Sequence, residues 1–345
     1  MTETMNITTR SGLTFTTDVD GPVGGPLVLM LHGFPESRHS WRAALPMLAA
    51  HGYRAVAPDQ RGYSSGARPD PADLSNYAFL RLIDDAIEIA EAAGYEGKRF
   101  HLVGHDWGGQ VSWGVAGAHP DRLASLTILS RPHPQSFRQA LLKEDGDQKH
   151  RSRHHRAFLE PETGKLLLAD NAKRLRDGLF GQGVPSEALE EHLSVLGNPE
   201  ALEAALAWYR SNKGLAADIG TITVPTLYIW GDADATVGPD AAYGTGDFVK
   251  PSFAMEVLPG VGHFVMDQAP VRATDLLLAH LAKHPVHGSQ QDRLIGAGRS
   301  AARSPISPAS RNWATSSCST SPKALPQGKA LDLAQPARSK ASTPS

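Results

Sequence analysis

Short apolar runs, each cut off by turn residues, recur along the chain. Leu27-Val28-Leu29-Met30-Leu31 runs into His32-Gly33, Arg54 to Ala57 stops at Pro58-Asp59, and Phe100 to Val103 stops at Gly104. Leu126 to Leu129 gives way to Ser130-Arg131-Pro132, Thr226 to Trp230 ends at Gly231, and Phe253 to Leu258 ends at Pro259-Gly260. Apolar character without alternation predicts strands covered on both faces, as in a parallel sheet. Between two of these runs, Tyr77 to Ala93 sets Leu80, Ile83, Ile87, Ile89 and Ala90 on one helical stripe, and Gly94 can end it. Strands alternating with helices predict an α/β domain with a mostly parallel central sheet.

The pattern changes at Pro132. As far as about Gly220 only helical periodicity is present, with a basic cluster from Lys149 to Arg156 and acidic helices around Glu187 to Glu203; strand-like runs resume at Val224. A helical insert between two strands reads as a cap over the sheet's edge. The expected organisation is therefore a core over 1–131 and 221–284 and a helical cap over 132–220. From Pro285 to Ser345 there are 12 Ser, 7 Pro, eight basic and two acidic residues, and no apolar period. Such a segment buries too little surface to offset the entropy of ordering, so a disordered tail is expected over 285–345.

Charge and cysteine content narrow the function classes. The 345 residues carry 34 Lys+Arg against 36 Asp+Glu, which argues against a nucleic-acid binder or a polybasic membrane surface. The single cysteine, Cys318, excludes internal disulfides and a Cys-based metal site. No H-E-x-x-H spacing occurs, and the Gly-rich turns lack a P-loop lysine, so neither a metal nor a cofactor is expected. No apolar run approaches the roughly 20 residues that span a bilayer. Met1 to Asp18 is polar and Thr-rich, without the basic start and apolar stretch of a signal peptide, and a cytoplasmic protein is expected.

Four motifs carry candidate chemistry. Gly104-His105-Asp106-Trp107-Gly108 follows a strand and opens a helix, with the G-x-nucleophile-x-G spacing of a nucleophile elbow. The bland alternative is an ordinary turn in which Asp106 caps a helix. His32-Gly33-Phe34-Pro35 ends an early strand, where this arrangement supplies an oxyanion-hole amide; the two donors would be the backbone N–H groups of Phe34 and Trp107. Pro35 lacks an N–H and restricts Phe34, and His32, Gly33 and Pro35 are candidates for the substrate pocket. Trp230 to Val237 and Gly260-Val261-Gly262-His263-Phe264 follow the last two strands. The order nucleophile, acid, histidine makes His263 the candidate base and leaves Asp232 and Asp234 competing to orient it. The G-x-x-D spacing favours Asp234.

Together, His32-Gly33-Phe34-Pro35-Glu36-Ser37, Asp59-Gln60-Arg61-Gly62-Tyr63-Ser64, Gly104-His105-Asp106-Trp107-Gly108-Gly109, Trp208-Tyr209-Arg210 and Gly262-His263-Phe264 resemble the epoxide-hydrolase branch of the α/β-hydrolase fold. The resemblance covers about residues 5–283. It implies a small apolar epoxide and water as reactants, attack by Asp106, hydrolysis of the resulting ester by water activated by His263 and Asp234, and Tyr209 as proton donor to the epoxide oxygen. Similar enzymes use a second cap tyrosine. None stands between Pro132 and Trp208, and an ungapped placement puts His154 at its position. His154 is either a substitute donor or a solvated member of the basic run. Haloalkane dehalogenases share the Asp and use a Trp after it as halide donor, so a haloalkane is the alternative substrate. Fluoroacetate dehalogenases carry Arg where Trp107 stands here, which argues against haloacids. A non-catalytic small-ligand binder on the same fold is the third reading.

Overall fold

A computed structural model of the chain describes residues 1–213, 219–250 and 252–286. Eight strands form one sheet: β1 (Glu3–Thr8), β2 (Thr14–Asp20), β3 (Leu27–Leu31), β4 (Arg54–Pro58), β5 (Phe100–His105), β6 (Leu123–Leu129), β7 (Thr226–Gly231) and β8 (Phe253–Leu258). Their spatial order is β1-β2-β4-β3-β5-β6-β7-β8. From β4 to β8 all pairs are parallel, whereas β2 lies antiparallel to both β1 and β4. All six expected strands are present. The two additional ones are the antiparallel edge pair, and β1 buries only Ile7.

Alternate side chains of the central strands serve two cores. Leu27, Leu29 and Leu31 of β3 join Ile83 of α2 (Phe79–Ala90) and Val111 and Val115 of α3 (Trp107–Ala118). Val28 and Met30 face the other way, toward Leu45 and Leu48 of α1 (Ala44–Ala50) and Leu277 and Leu281 of the C-terminal helix Pro270–Lys283. One expectation needs correction. Leu80 is 70% exposed, and the buried face of α2 runs through Phe79, Leu82, Ile83, Ala86, Ile87 and Ala90. With the helix starting at Phe79, that i, i+3, i+4 stripe leaves Leu80 on the solvent side.

Among the described residues, six helices lie between β6 and β7: α4 (Pro134–Leu142), α5 (Gln148–Arg151), α6 (His154–Leu159), α7 (Thr163–Gly181), α8 (Ser186–Leu196) and α9 (Pro199–Ser211). They form a helical cap over the carboxyl ends of the strands. Its clamps to the core are polar: the Trp208 indole donates to the Arg61 carbonyl (3.0 Å), the Asn212 amide donates to the Tyr77 carbonyl (2.9 Å), and Ser37 pairs with His192 (3.0 Å). The expected tail falls outside the described residues from position 287 onward. Among the described residues no helix is long and apolar enough to cross a membrane.

Candidate active site

Adjacent parallel strands end side by side, and the loops leaving them meet under the cap. This is where open α/β sheets place ligands. Asp106 follows β5 with φ 47° and ψ −116°, a region that costs a non-glycine residue about 1–3 kcal/mol and persists only when its surroundings enforce it. The enforcement is visible at the glycines. A Cβ on Gly108 would lie 2.1 Å from the Leu31 carbonyl oxygen, one on Gly104 would lie 2.4 Å from the Gly108 carbonyl oxygen, and one on Gly33 would lie 2.4 Å from Asp106 Cβ. Only hydrogen side chains let β3, β5 and the start of α3 approach so closely. Asp106 makes no side-chain cap bond to the helix; instead, the Phe34 amide donates to its Oδ1 at 3.0 Å. The Trp107 amide opens α3, in the first turn where N–H groups have no intrahelical acceptor.

His263 stands between two carboxylates. Its Nδ1–H donates to Asp234 Oδ2 at 2.9 Å, and its Nε2 lies 3.6 Å from Asp106 Oδ2. Asp234 is buried and held by the Thr236 and Val237 amides on Oδ1, at 2.7 and 2.9 Å. Asp232, the competing carboxylate, is exposed and accepts the Gly260 amide in a turn. Burial disfavours the His263 imidazolium, but Asp234 and Asp106 outweigh it and hold its pKa up at about 10. Burial likewise opposes the Asp106 anion, yet His263, His105 and the Phe34 amide pull its pKa well below the usual carboxylate range. The resting site is therefore a carboxylate–imidazolium–carboxylate array at neutral pH.

Sequence reasoning missed what holds this array. His105 Nδ1 faces Glu36 Oε2 at 2.6 Å, and its Nε2 faces the His263 carbonyl at 2.8 Å. Both partners are acceptors, so both nitrogens carry protons and His105 is an imidazolium. Burial works against that charge, and Glu36 more than compensates, raising the pKa. The Ser130 hydroxyl donates to the same His263 carbonyl at 2.9 Å. Both residues stand within motifs, Glu36 in His32 to Ser37 and His105 in Gly104 to Gly108, but their pairing across 69 residues leaves no local signal.

Tyr209 of α9 hangs from the cap into the site, its ring edge-on to Phe34 (5.6 Å), Trp107 (5.1 Å) and Phe158 (4.8 Å). Burial and the nearby Asp106 push its pKa well up, while a side-chain hydrogen bond with Trp107 pulls the other way. His154 is half-buried and lines the cavity beside Asp106, so the solvated reading does not hold. Phe158, one turn on along α6, is buried against it at 5.5 Å and turns that face inward. Burial drops the pKa of His154 to about 4. Its Nδ1 faces the Arg151 carbonyl at 3.1 Å, so the neutral ring keeps its proton there and offers Nε2 as an acceptor. Of the expected pocket residues, Pro35 lines the cavity. His32 and Gly33 do not: His32 is fully buried beneath it, accepting the Gln60 amide at 3.2 Å, and Gly33 packs on Asp106.

This sheet, its inserted cap and a residue in strained backbone at the end of β5 together define a class, and comparison with known proteins names it. Residues 26–270 match the family model described as alpha/beta hydrolase fold. Epoxide hydrolase 4 of Mus musculus is 32% identical over 282 residues, covering 79% of this chain and 77% of its own. Epoxide hydrolase A of Mycobacterium tuberculosis is 29% identical, covering 76% and 92%. Among solved structures, an epoxide hydrolase from hot-environment metagenomes superposes with a TM-score of 0.70 at 29% identity, covering 82% of this chain and 99% of its own. Epoxide Hydrolase A from Mycobacterium thermoresistibile gives 0.70 at 25%, covering 83% and 100%. The chain belongs to the epoxide-hydrolase branch of the alpha/beta hydrolase fold. It is a hydrolase.

Proposed function

We propose that the protein opens an epoxide to a vicinal diol through an ester on Asp106. The observation that carries this reading is the placement of Asp106: one carboxylate oxygen on the Phe34 amide, the other toward His263, with a cap tyrosine above. An ionised carboxylate needs no base before it attacks. Oδ2 bonds to an epoxide carbon as the C–O bond breaks, and the ring oxygen takes its proton from Tyr209. Because burial keeps the phenol protonated, it donates a hydrogen bond throughout opening. Oδ1 becomes the ester carbonyl, held by Phe34 and faced by the Trp107 amide. Each such donor contributes about 3 kcal/mol once the oxygen becomes an oxyanion.

Esterification also prepares the second step. While Asp106 is charged, His263 is an imidazolium and cannot act as a base. Once Asp106 becomes an ester, one of the two anions beside His263 is gone and the histidine's pKa falls. Its Nε2 proton passes to the Tyr209 phenolate and restores the phenol, and the neutral ring then takes a proton from water attacking the ester carbonyl carbon. The acyl C–O bond to the substrate then breaks, the diol oxygen takes the proton His263 received, and the Asp106 carboxyl passes its own to the ring, which restores the anion and the imidazolium. Asp234 fixes the tautomer that presents Nε2. His154 is a second donor only when doubly protonated, so near neutrality Tyr209 does most of this work. Pro35 walls the pocket. A haloalkane would need the Trp107 indole for its halide, whereas the buried Tyr209 phenol lines the same cavity as Asp106 and supplies the donor an epoxide oxygen needs, which favours the epoxide.

The route of the water oxygen tests the mechanism. In a single turnover with excess enzyme in ¹⁸O-water, the label is expected in Asp106 and not in the diol. Label in the first-turnover diol would mean that water attacks the epoxide directly and would sink the ester mechanism.

A further inference from the structure

Two cavities meet at Asp106 and Tyr209, which line both. The smaller, about 40 Å³, is walled by Phe34, Pro35, Phe158 and His263, and its cations are engaged. Arg151 pairs with Asp147 at 2.6 Å and donates to the Asp234 carbonyl, and Arg153 lies 2.9 Å from His150. The larger, about 300 Å³, has apolar walls of Trp107, Phe137 and Leu141, with Arg131 at depth and Arg138, Arg156 and Lys213 exposed at its rim. Among the described residues, Asp106 is its only carboxylate. None of these four cations makes an ion pair with a carboxylate among the described residues.

Arg131 is built into place. It stands two residues past the carboxyl end of β6, the strand beside β5, next to Ser130, which shares the positive φ of Asp106. Its Nε–H donates to Gln110 Oε1 at 2.9 Å, and its guanidinium lies 4.4 Å from the centre of the Phe137 ring. Gln110 is 2% exposed, and its Nε2 is a buried donor without a partner among the described residues. Burial lowers the pKa of Arg131, opposed by Asp106. A guanidinium keeps its charge regardless, and Arg131, half-buried and in no ion pair of its own, presents that charge to the cavity it lines.

We infer that the larger cavity is an anion subsite, with Arg131 as its fork, for a carboxylate at the far end of an otherwise apolar epoxide. The inference deepens the proposed function and rests on it for the word epoxide. The planar fork suits a carboxylate. The Phe137 and Leu141 walls suit the carbon chain between acid and ring, and the rim cations draw the acid in.

The test compares epoxyhexanoate with epoxyhexanamide, and measures binding of the unreactive pair hexanoate and hexanamide by calorimetry. The wild type is expected to favour the acid by about tenfold in kcat/KM, mostly through KM, as suits a hydrogen-bonded charge. That preference should shrink with added salt. Arg131→Gln should erase it and Arg131→Lys should retain part of it, the acid-to-amide ratio being the readout; the wild-type pairs alone decide the matter if either variant fails to fold. Equal kcat/KM for acid and amide, together with equal binding of hexanoate and hexanamide, would overturn the subsite. Tighter binding of hexanoate through Arg131 with neither epoxide hydrolysed would support the subsite and instead remove the epoxide reading.

Discussion

The strand ends and the cap contribute different kinds of group to one site. Asp106, Asp234 and His263 sit on loops leaving β5, β7 and β8, held by backbone amides and by glycines without room for a Cβ. Tyr209, His154 and His155 sit on helices, held by ring-edge packing: His155 lies 5.6 Å from Tyr209 and 4.5 Å from His154. Hydrogen-bonded strand ends fix positions tightly enough for covalent chemistry, whereas aromatic packing tolerates exchange. The proposed exchange of a cap tyrosine for His154 would therefore leave the core array intact.

That contrast is sharpened first at Tyr209. Tyr209→Phe removes the proton donor but not its packing, and should slow ester formation by about a hundredfold or more. Ester hydrolysis should be untouched, so stopped-flow measurements should show the loss in the first step alone. In the core, Gly108→Ala forces a Cβ to within 2.1 Å of the Leu31 carbonyl and should lower stability by about 3 kcal/mol, read from urea unfolding. Unchanged stability would show that the elbow is looser than this geometry requires. In the cap, His154→Tyr should fold normally and raise epoxide opening at neutral pH by about tenfold, since it supplies a phenol where the neutral imidazole presents an acceptor. A fall in rate would mean that His154 already donates.

The smallest effect is in pH dependence. The His263 pKa is raised to about 10 by Asp234 and Asp106, and it drops when Asp106 is esterified. Under hydrolysis control kcat should therefore rise with pH across an apparent pKa below 10. A kcat limb at the free-enzyme value would show that esterification does not release the histidine.

The same division explains what the sequence disclosed. Strands β3 to β8 were legible because burial on both faces leaves continuous apolar runs that end in turn residues, and the site motifs begin where those runs stop. The antiparallel pair β1 and β2 was not, since β1 is exposed at every position but Ile7 and β2, although largely buried, is built mainly of Thr and Asp, so neither carries an apolar run. Leu80 misled because a stripe shifted by one residue turns the helix by about 100°. His154 looked solvated within a run of Arg and Lys, although its i, i+4 spacing to Phe158 marked an inward face. Arg131 read only as a turn residue after β6, and nothing local marks the cavity it lines. The charge state of His105 depends on partners far away in sequence, and no local pattern encodes it.

The central claim is that Asp106 carries the substrate and His263 releases it. Intact-mass spectrometry of His263→Ala incubated with an epoxide tests this directly. The account predicts a stable adduct of one whole epoxide, mapping by peptide fragmentation to Asp106. An unmodified protein that still yields diol, or an adduct on another residue, would contradict it.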